Sequence, residues 1–204
     1  MTRIAVLKSG LWVILAAPFA YLCGLIYLEW QSPGEVLGAD PGEAVVHYSG
    51  EWAIIFVLLA FSVTPLRRLF LAMDVTRGNL GFLFTRSRRL FGLFAFFYAL
   101  VHLLAYVIFF LEFSLDQLLQ DVLERTYITA GMLAFVILFF MALTSTRGWQ
   151  RRLRARWSQL HKLIYLGVGL SILHLWWLTR DDFAEVVVFG AWYMALLVLR
   201  LRAA

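Results

Sequence analysis

Four histidines are the residues of this sequence best suited to carry chemistry. His102 and His174 lie within strongly apolar stretches, His161 lies where the second of these stretches begins, and His47 lies in a more polar segment. An imidazole can bind a metal ion or transfer a proton near neutral pH. The single cysteine, Cys23, excludes a disulfide framework, a cysteine-based zinc site and a cysteine-ligated iron–sulfur cluster. Metal binding by histidine is therefore the first chemistry to consider.

The apolar stretches around these histidines are long enough to cross a membrane. Of the 204 residues, 62% are hydrophobic and only 15% are charged, whereas a soluble domain is about half apolar and a quarter charged. Six runs approach the roughly 20 residues that a helix needs to cross about 30 Å of hydrocarbon. The runs are Leu11–Leu28, Trp52–Leu71, Leu90–Leu111, Tyr127–Leu143, Leu160–Leu178 and Phe183–Leu199. We therefore expect an all-α integral membrane protein in which residues 1–204 form one domain of six transmembrane helices.

The charged residues alternate between the segments that connect these runs. All but Arg125 and Arg180 of the 18 Lys and Arg residues lie on one side: before the first run, where the second run connects to the third, where the fourth connects to the fifth, and after the sixth. Asp74 is the only one of the 13 acidic residues on that side. Because cytoplasmic segments carry the excess of Lys and Arg, both termini are predicted to be cytoplasmic and the acidic segments periplasmic. The net charge of +5 thus indicates orientation in a bacterial inner membrane, with lipid and not nucleic acid as the partner.

His102 and His174 are expected at nearly the same depth. The third and fifth predicted helices both run outward from the cytoplasm, and His102 lies roughly 18 Å beyond Leu90, while His174 lies roughly 20 Å beyond His161. Two imidazoles at one level on parallel helices can bind a haem iron from both sides. The alternative is that they are hydrogen-bonded residues of the helix core. His47 is interpreted as a solvated residue of the first outer loop.

His161 is predicted to lie at the level of a second cofactor, nearer the cytoplasm. Thirteen residues at about 100° each place it about 140° around the helix from His174. The two histidines share a face only if the helix is distorted, at Gly167 or Gly169, or if His161 lies in an irregular first turn.

On the third helix, the level of His161 falls at Arg88 or Arg89, where no histidine is available. A basic residue there can meet a haem carboxylate, or it can simply anchor the helix at the cytoplasmic surface. Arg88 is therefore a candidate contact of an inner cofactor.

Several blocks of the sequence are typical of one membrane family. They are Ser49-Gly50-Glu51-Trp52, Val63-Thr64-Pro65-Leu66-Arg67-Arg68, Arg88-Arg89-Leu90-Phe91-Gly92-Leu93 with Tyr98 and His102, Trp157-Ser158-Gln159-Leu160-His161-Lys162-Leu163-Ile164-Tyr165, and His174. With these blocks the chain resembles the haem-binding membrane subunits of bacterial periplasmic methionine sulfoxide reductase systems, in the ferric-reductase-like transmembrane family.

The resemblance implies a six-helix haem bundle that carries electrons outward to a soluble molybdopterin-dependent reductase, which repairs oxidised methionines in the periplasm. By this resemblance, His102 and His174 match the axial ligands of an outer haem b, and His161 matches the ligand of an inner haem or another cofactor. Relatives carry a fourth histidine where this chain has Arg88, so one or two haems are expected. The resemblance also implies FMN. The electron donor is expected to be the quinone pool, bound FMN or a soluble flavin reductase, at sites that the sequence does not locate.

Two other functions stay open at this point. The chain could be a stand-alone quinol or ferric reductase without a protein partner, although its short outer loops offer little material for a substrate pocket. It could also be a cofactor-free scaffold or a small transporter whose histidines only pack. The absence of charged residues from the centres of the predicted helices argues against an ion carrier. An electron-transfer subunit, rather than a catalytic one, is the leading interpretation.

Overall fold

The computed structural model describes the backbone of residues 3–72 and 80–201 and the side chains of residues 9–71 and 87–200. Within these ranges the chain is helical and contains no strand, which confirms the all-α prediction for this part of the protein. The helices are α1 (Arg3–Gln31), α2 (Pro41–Ala72), α3 (Leu80–Phe109), α4 (Leu115–Glu124), α5 (Thr126–Leu143), α6 (Arg147–Leu153), α7 (Ala155–Lys162), α8 (Ile164–Leu178) and α9 (Ala184–Leu201). Asp74 and Arg77, which entered the charge argument, lie outside the described residues.

Four of the described helices are long and apolar enough to cross a membrane. The segments are Ser9–Gln31, Pro41–Leu71, Ser87–Phe109 and Thr126–Leu143, and they correspond to the first four predicted runs. Helix α8 has 15 residues, or about 22 Å, which is shorter than the roughly 30 Å of a bilayer core. Helix α9 has 18 residues, as α5 has, but it is not among these four segments. That α8 and α9 also span, and that both termini face the cytoplasm, remain predictions.

Helix α2 is the centre of the bundle. It packs most extensively against α3 and also contacts α1, α8 and α9, while α5 packs mainly against α8 and also contacts α3. The core contains Leu58, Phe61, Tyr98 and Val168, each almost fully buried. Many large apolar side chains face outward instead, as expected for helices whose surroundings are lipid and not water. The α2–α3 and α5–α8 pairs therefore bring their facing residues together at the middle of the molecule.

The second predicted helix begins about three turns earlier than its apolar run suggested. The Asp40 carboxylate accepts a hydrogen bond from the Glu43 N–H at 2.9 Å, and Pro41 occupies the first turn, so a side-chain cap and a proline together start α2. His47 was interpreted as a loop residue; it lies instead on α2. Its Nε2 is 3.4 Å from a Glu185 carboxylate oxygen, and its side chain is 53% exposed.

The fifth predicted helix, Leu160–Leu178, is interrupted. Helix α7 ends at Lys162 and α8 begins at Ile164, with only Leu163 between them. Both suspected glycines, Gly167 and Gly169, lie inside α8. The irregularity thus falls directly after His161, at Leu163, whose φ of −61° and ψ of −11° stay near the helical region.

Two connecting segments also contain helices. The acidic segment after α3 forms α4, whose N-cap is Ser114, after Glu112 and Phe113 turn the chain with positive φ angles. The basic segment after α5 forms α6 and α7, separated at Arg154, which has a φ of 48°. Hydropathy alone predicted none of these three helices.

Candidate functional site

His102 and His174 lie side by side in the middle of the bundle. His102 is on α3 and His174 is on α8. Their ring centroids are 6.1 Å apart, and the ring planes are nearly perpendicular, at 85°. The contact between them joins the α2–α3 pair to the α5–α8 pair, so the two imidazoles occupy one level of the bundle.

The backbone of α2 holds the His102 ring. The Nδ1–H of His102 donates to the Val46 carbonyl at 2.8 Å. A carbonyl can only accept a hydrogen bond, so Nδ1 carries the proton of the neutral ring and Nε2 keeps a lone pair. Gly50 lies next to the ring, and a Cβ atom at Gly50 would come within 2.8 Å of His102 Nδ1.

The backbone of α5 holds the His174 ring in the same way. The Nδ1–H of His174 donates to the Tyr127 carbonyl at 2.6 Å, and a Cβ atom at Gly131 would come within 2.8 Å of Nδ1. The Tyr127 ring lies 6.1 Å from the His174 ring. Again Nε2 is the nitrogen left with a lone pair.

The separation of the two rings suits a haem iron bound between them. A metal binds an imidazole nitrogen at about 2.0–2.1 Å, and each ring atom lies about 1.1 Å from the centroid of the imidazole ring. Two imidazoles that bind one metal from opposite sides therefore have centroids about 6.3 Å apart. The observed 6.1 Å agrees with this separation. Among the described residues no group of three or more His, Cys, Asp or Glu side chains could hold a bare ion. Haem supplies four nitrogens itself and needs only two axial ligands from the protein.

A polar network extends from this pair toward α4. Tyr106 lies one turn after His102 on α3, and its hydroxyl donates to the buried Asp121 carboxylate. Arg125 Nε lies 3.0 Å from the other Asp121 oxygen, and Arg125 also donates to the Tyr127 hydroxyl at 3.4 Å. The Tyr127 hydroxyl and the Asp121 carboxylate raise the pKa of Arg125 above its ordinary value, which keeps the guanidinium charged.

This network lines a cavity of about 360 Å³. Hydropathy did not predict the residues that α4 contributes to this cavity, because the segment before Arg125 was expected to be a loop. The sequence does contain a signal for helix α4. Leu115, Leu119 and Leu123 recur at the four-residue spacing of an amphipathic helix, after the capping Ser114.

His161 does not join the other two histidines. Its ring stacks on the Trp157 ring, with centroids 4.0 Å apart, and its Nε2 lies 3.2 Å from the buried Thr144 hydroxyl. That hydroxyl donates its one hydrogen to the Phe140 carbonyl at 2.6 Å, so Nε2 of His161 is the donor to Thr144 and Nδ1 keeps the lone pair. Along α5, Thr144 lies about 25 Å from Tyr127, which holds His174. His161 is therefore held at a separate, second level.

Two arginines lie at this second level. Arg88, which is exposed, is close enough to His161 and to Arg200 for its charge to act on both. Arg200 donates to the Phe61 carbonyl at 2.6 Å and to the Tyr165 hydroxyl at 3.0 Å. From the sequence, Arg200 indicated only the orientation of the chain; its contact with α2 was not predicted. We refer to His161, Arg88 and Arg200 as the inner cluster.

Comparisons with known proteins agree on one family. Residues 49–172 match the family described as "Ferric reductase like transmembrane component". The chain is 39% identical to the protein-methionine-sulfoxide reductase heme-binding subunit MsrQ of Xanthomonas oryzae pv. oryzae (strain MAFF 311018) over 189 residues, which are 93% of this chain and 83% of that protein. It is 38% identical to the MsrQ subunit of Caulobacter vibrioides (strain ATCC 19089 / CIP 103742 / CB 15) over 190 residues, with coverage of 93% and 83%.

Proposed function

Because this chain belongs to the ferric reductase-like transmembrane family, and within it to the MsrQ heme-binding subunits, we propose that it is a membrane cytochrome of the b type. It transfers electrons outward across the bacterial inner membrane, as a multi-pass protein with six spanning helices and both termini in the cytoplasm. It acts as an electron-transfer subunit, and a separate periplasmic protein carries out the reduction of methionine sulfoxide.

The single observation that carries this proposal is the paired arrangement of His102 and His174. The two rings lie 6.1 Å apart, and each Nδ1 donates to a backbone carbonyl. Both Nε2 atoms are therefore free to bind one iron. A hydrogen bond from the far nitrogen fixes a ligating imidazole and increases its basicity. Helix-core packing alone would not require two rings with the same tautomer at this separation.

In this proposal the residues of the chain bind and orient the cofactor. A bound haem supplies one-electron chemistry. His102 and His174 hold it at the outer level, and the carbonyls of Val46 and Tyr127 keep both rings in the ligating tautomer. The buried apolar residues of α2 and α3 exclude water from the path between the two levels.

The inner cluster of His161, Arg88 and Arg200 is the proposed entry point for electrons. Its positive charge suits the carboxylates of a second haem or the phosphate of FMN. Nδ1 of His161 is the nitrogen that is free to ligate. The donor is the quinone pool or a soluble flavin reductase.

At the outer face, we propose that a molybdopterin-dependent methionine sulfoxide reductase accepts the electrons. The names of the relatives associate them with a protein-methionine-sulfoxide reductase. The acidic residues of α4 and of the segments before α2 and α9 would attract a basic patch on that partner.

The test is replacement of His102 and of His174 by alanine, with His47→Ala as the control, because the His47 side chain is 53% exposed and its Nε2 lies 3.4 Å from Glu185. The protein is purified in detergent, its haem is quantified, and reduced and oxidised spectra are recorded. We expect His102→Ala and His174→Ala each to lose the low-spin b-type spectrum, and added imidazole to restore part of it. His47→Ala should keep haem and spectrum. Wild-type haem content and spectrum in both site variants would refute the assignment.

A further inference from the structure

Each histidine of the pair is held by a neighbouring helix through the same two backbone features. On α2 these are the Val46 carbonyl and Gly50; on α5 they are the Tyr127 carbonyl and Gly131. In both helices the glycine follows the carbonyl by four residues. The two arrangements come from different helix pairs, yet they have the same geometry.

The four-residue spacing has a physical reason. In an α-helix the Cβ of residue i+4 tilts toward the N-terminus and lies above the carbonyl of residue i. A side chain at that position would cover the carbonyl from the side. A Cβ at Gly50 would lie 2.8 Å from Nδ1 and 3.0 Å from Cε1 of His102, and one at Gly131 would lie at the same distances from His174. Only glycine lets the ring reach the carbonyl.

Among the described glycines, only Gly50 and Gly131 would place a Cβ against a histidine ring; a Cβ at Gly42 would be crowded by Phe109 instead. A Cβ added at Gly92 on α3, or at Gly190 on α9, would meet nothing within 4 Å. Gly92 even lies on the same helix as His102, so it offers a matched control for the effect of an added methyl group on helix stability.

We propose that Gly50 and Gly131 are positioning residues that set the orientation and hydrogen bonding of the two haem ligands. Each glycine keeps its histidine ring against the carbonyl of the preceding turn, and the two contacts together fix the ring planes 85° apart. The inference rests on the proposed function, because it concerns the same two ligands.

The hydrogen bond and orientation of each ring also affect the electronic properties of a bound haem iron. A strong Nδ1–H···O=C bond makes Nε2 more basic and favours the oxidised iron, so it lowers the reduction potential. Perpendicular imidazole planes give low-spin haem a large spread of EPR g values. Displacing either ring should raise the potential and change this spread.

The experiment compares Gly50→Ala and Gly131→Ala with Gly92→Ala and Gly190→Ala. Each holoprotein is purified in detergent and checked for monodispersity; its haem content, midpoint potential and low-temperature EPR spectrum are then measured. We expect both site variants to show a higher potential and a shifted largest g value, or to lose haem, while both controls match the wild type. Wild-type potentials and EPR spectra in both site variants would overturn the inference.

A measurement on the wild type keeps the inference testable if a site variant fails to fold. Pulsed EPR in H₂O and D₂O detects an exchangeable proton on the remote nitrogen of each ligand, and its absence from both rings would contradict the inference. If the proposed function itself is wrong, the experiment shows it separately, because the wild-type protein would then contain no bis-histidine haem.

Discussion

Replacement of Arg200 by methionine tests how the inner end of the bundle is held together. Pro65 has no N–H, so it cannot donate to the Phe61 carbonyl four residues earlier in α2. Arg200 supplies the missing donor, at 2.6 Å from the Phe61 oxygen. Its guanidinium carbon also lies 3.8 Å from the centroid of the Phe61 ring. A side chain from the last turn of α9 thus completes the hydrogen bonding of α2.

The magnitude follows from these two contacts. A buried carbonyl without a partner costs about 1–3 kcal/mol, and a partly desolvated cation–π contact contributes about 0.5–2 kcal/mol. Arg200→Met keeps the apolar stem but removes both contacts, together with the exposed hydrogen bond to the Tyr165 hydroxyl. We therefore expect the free energy of unfolding to fall by about 1.5–5 kcal/mol.

The assay is a double-mutant cycle with Pro65→Ala, followed by unfolding in mixed detergent micelles. Alanine restores an N–H to α2, so the Phe61 carbonyl regains a helical donor and Arg200→Met should then destabilise the protein by about 1–3 kcal/mol less. Arg151→Met, at an exposed position on α6, is the control for loss of a basic residue. Equal destabilisation by Arg200→Met in both backgrounds would refute the reasoning.

Three further predictions concern the electron path and its orientation. His161→Ala should lower cofactor content or slow reduction from the cytoplasmic side while the outer haem spectrum stays intact; full content and a normal rate would make His161 structural. A reporter that is active only in the periplasm, fused after Ala204, should stay silent because basic segments remain in the cytoplasm, and clear activity would reverse the topology. Electron transfer to the periplasmic reductase should slow as ionic strength rises, and a rate independent of salt would exclude electrostatic docking.

Hydropathy and charge were sufficient to predict the class of fold. The apolar runs that contain His102 and Tyr127 form long helices because burial in lipid requires every backbone group to bond within its own segment. That requirement is local, so it can be read from a window of about 20 residues. The family was also readable, because its motifs include the Trp-to-Tyr block around His161.

Helix ends were predicted less well, for a reason that the sequence could have corrected. Asp40, Pro41 and Glu43 form a capping signal, but it lies in a polar segment that hydropathy assigns to a loop. Helix α4 was missed in the same way. Caps act through side-chain hydrogen bonds, and a measure of apolar length does not detect them.

The positioning of the site was decided by tertiary structure alone. The Val46 and Tyr127 carbonyls that hold the two histidines are backbone atoms, and every residue carries one, so no residue type marks them in advance. The same is true of the Phe61 carbonyl, whose partner Arg200 lies 139 residues away in the sequence. Sequence determined which residues could ligate iron and roughly at what depth. The packing of α2 against α3 and of α5 against α8 decided which nitrogen of each ring is free, because only that packing brings a carbonyl and a glycine against each ring.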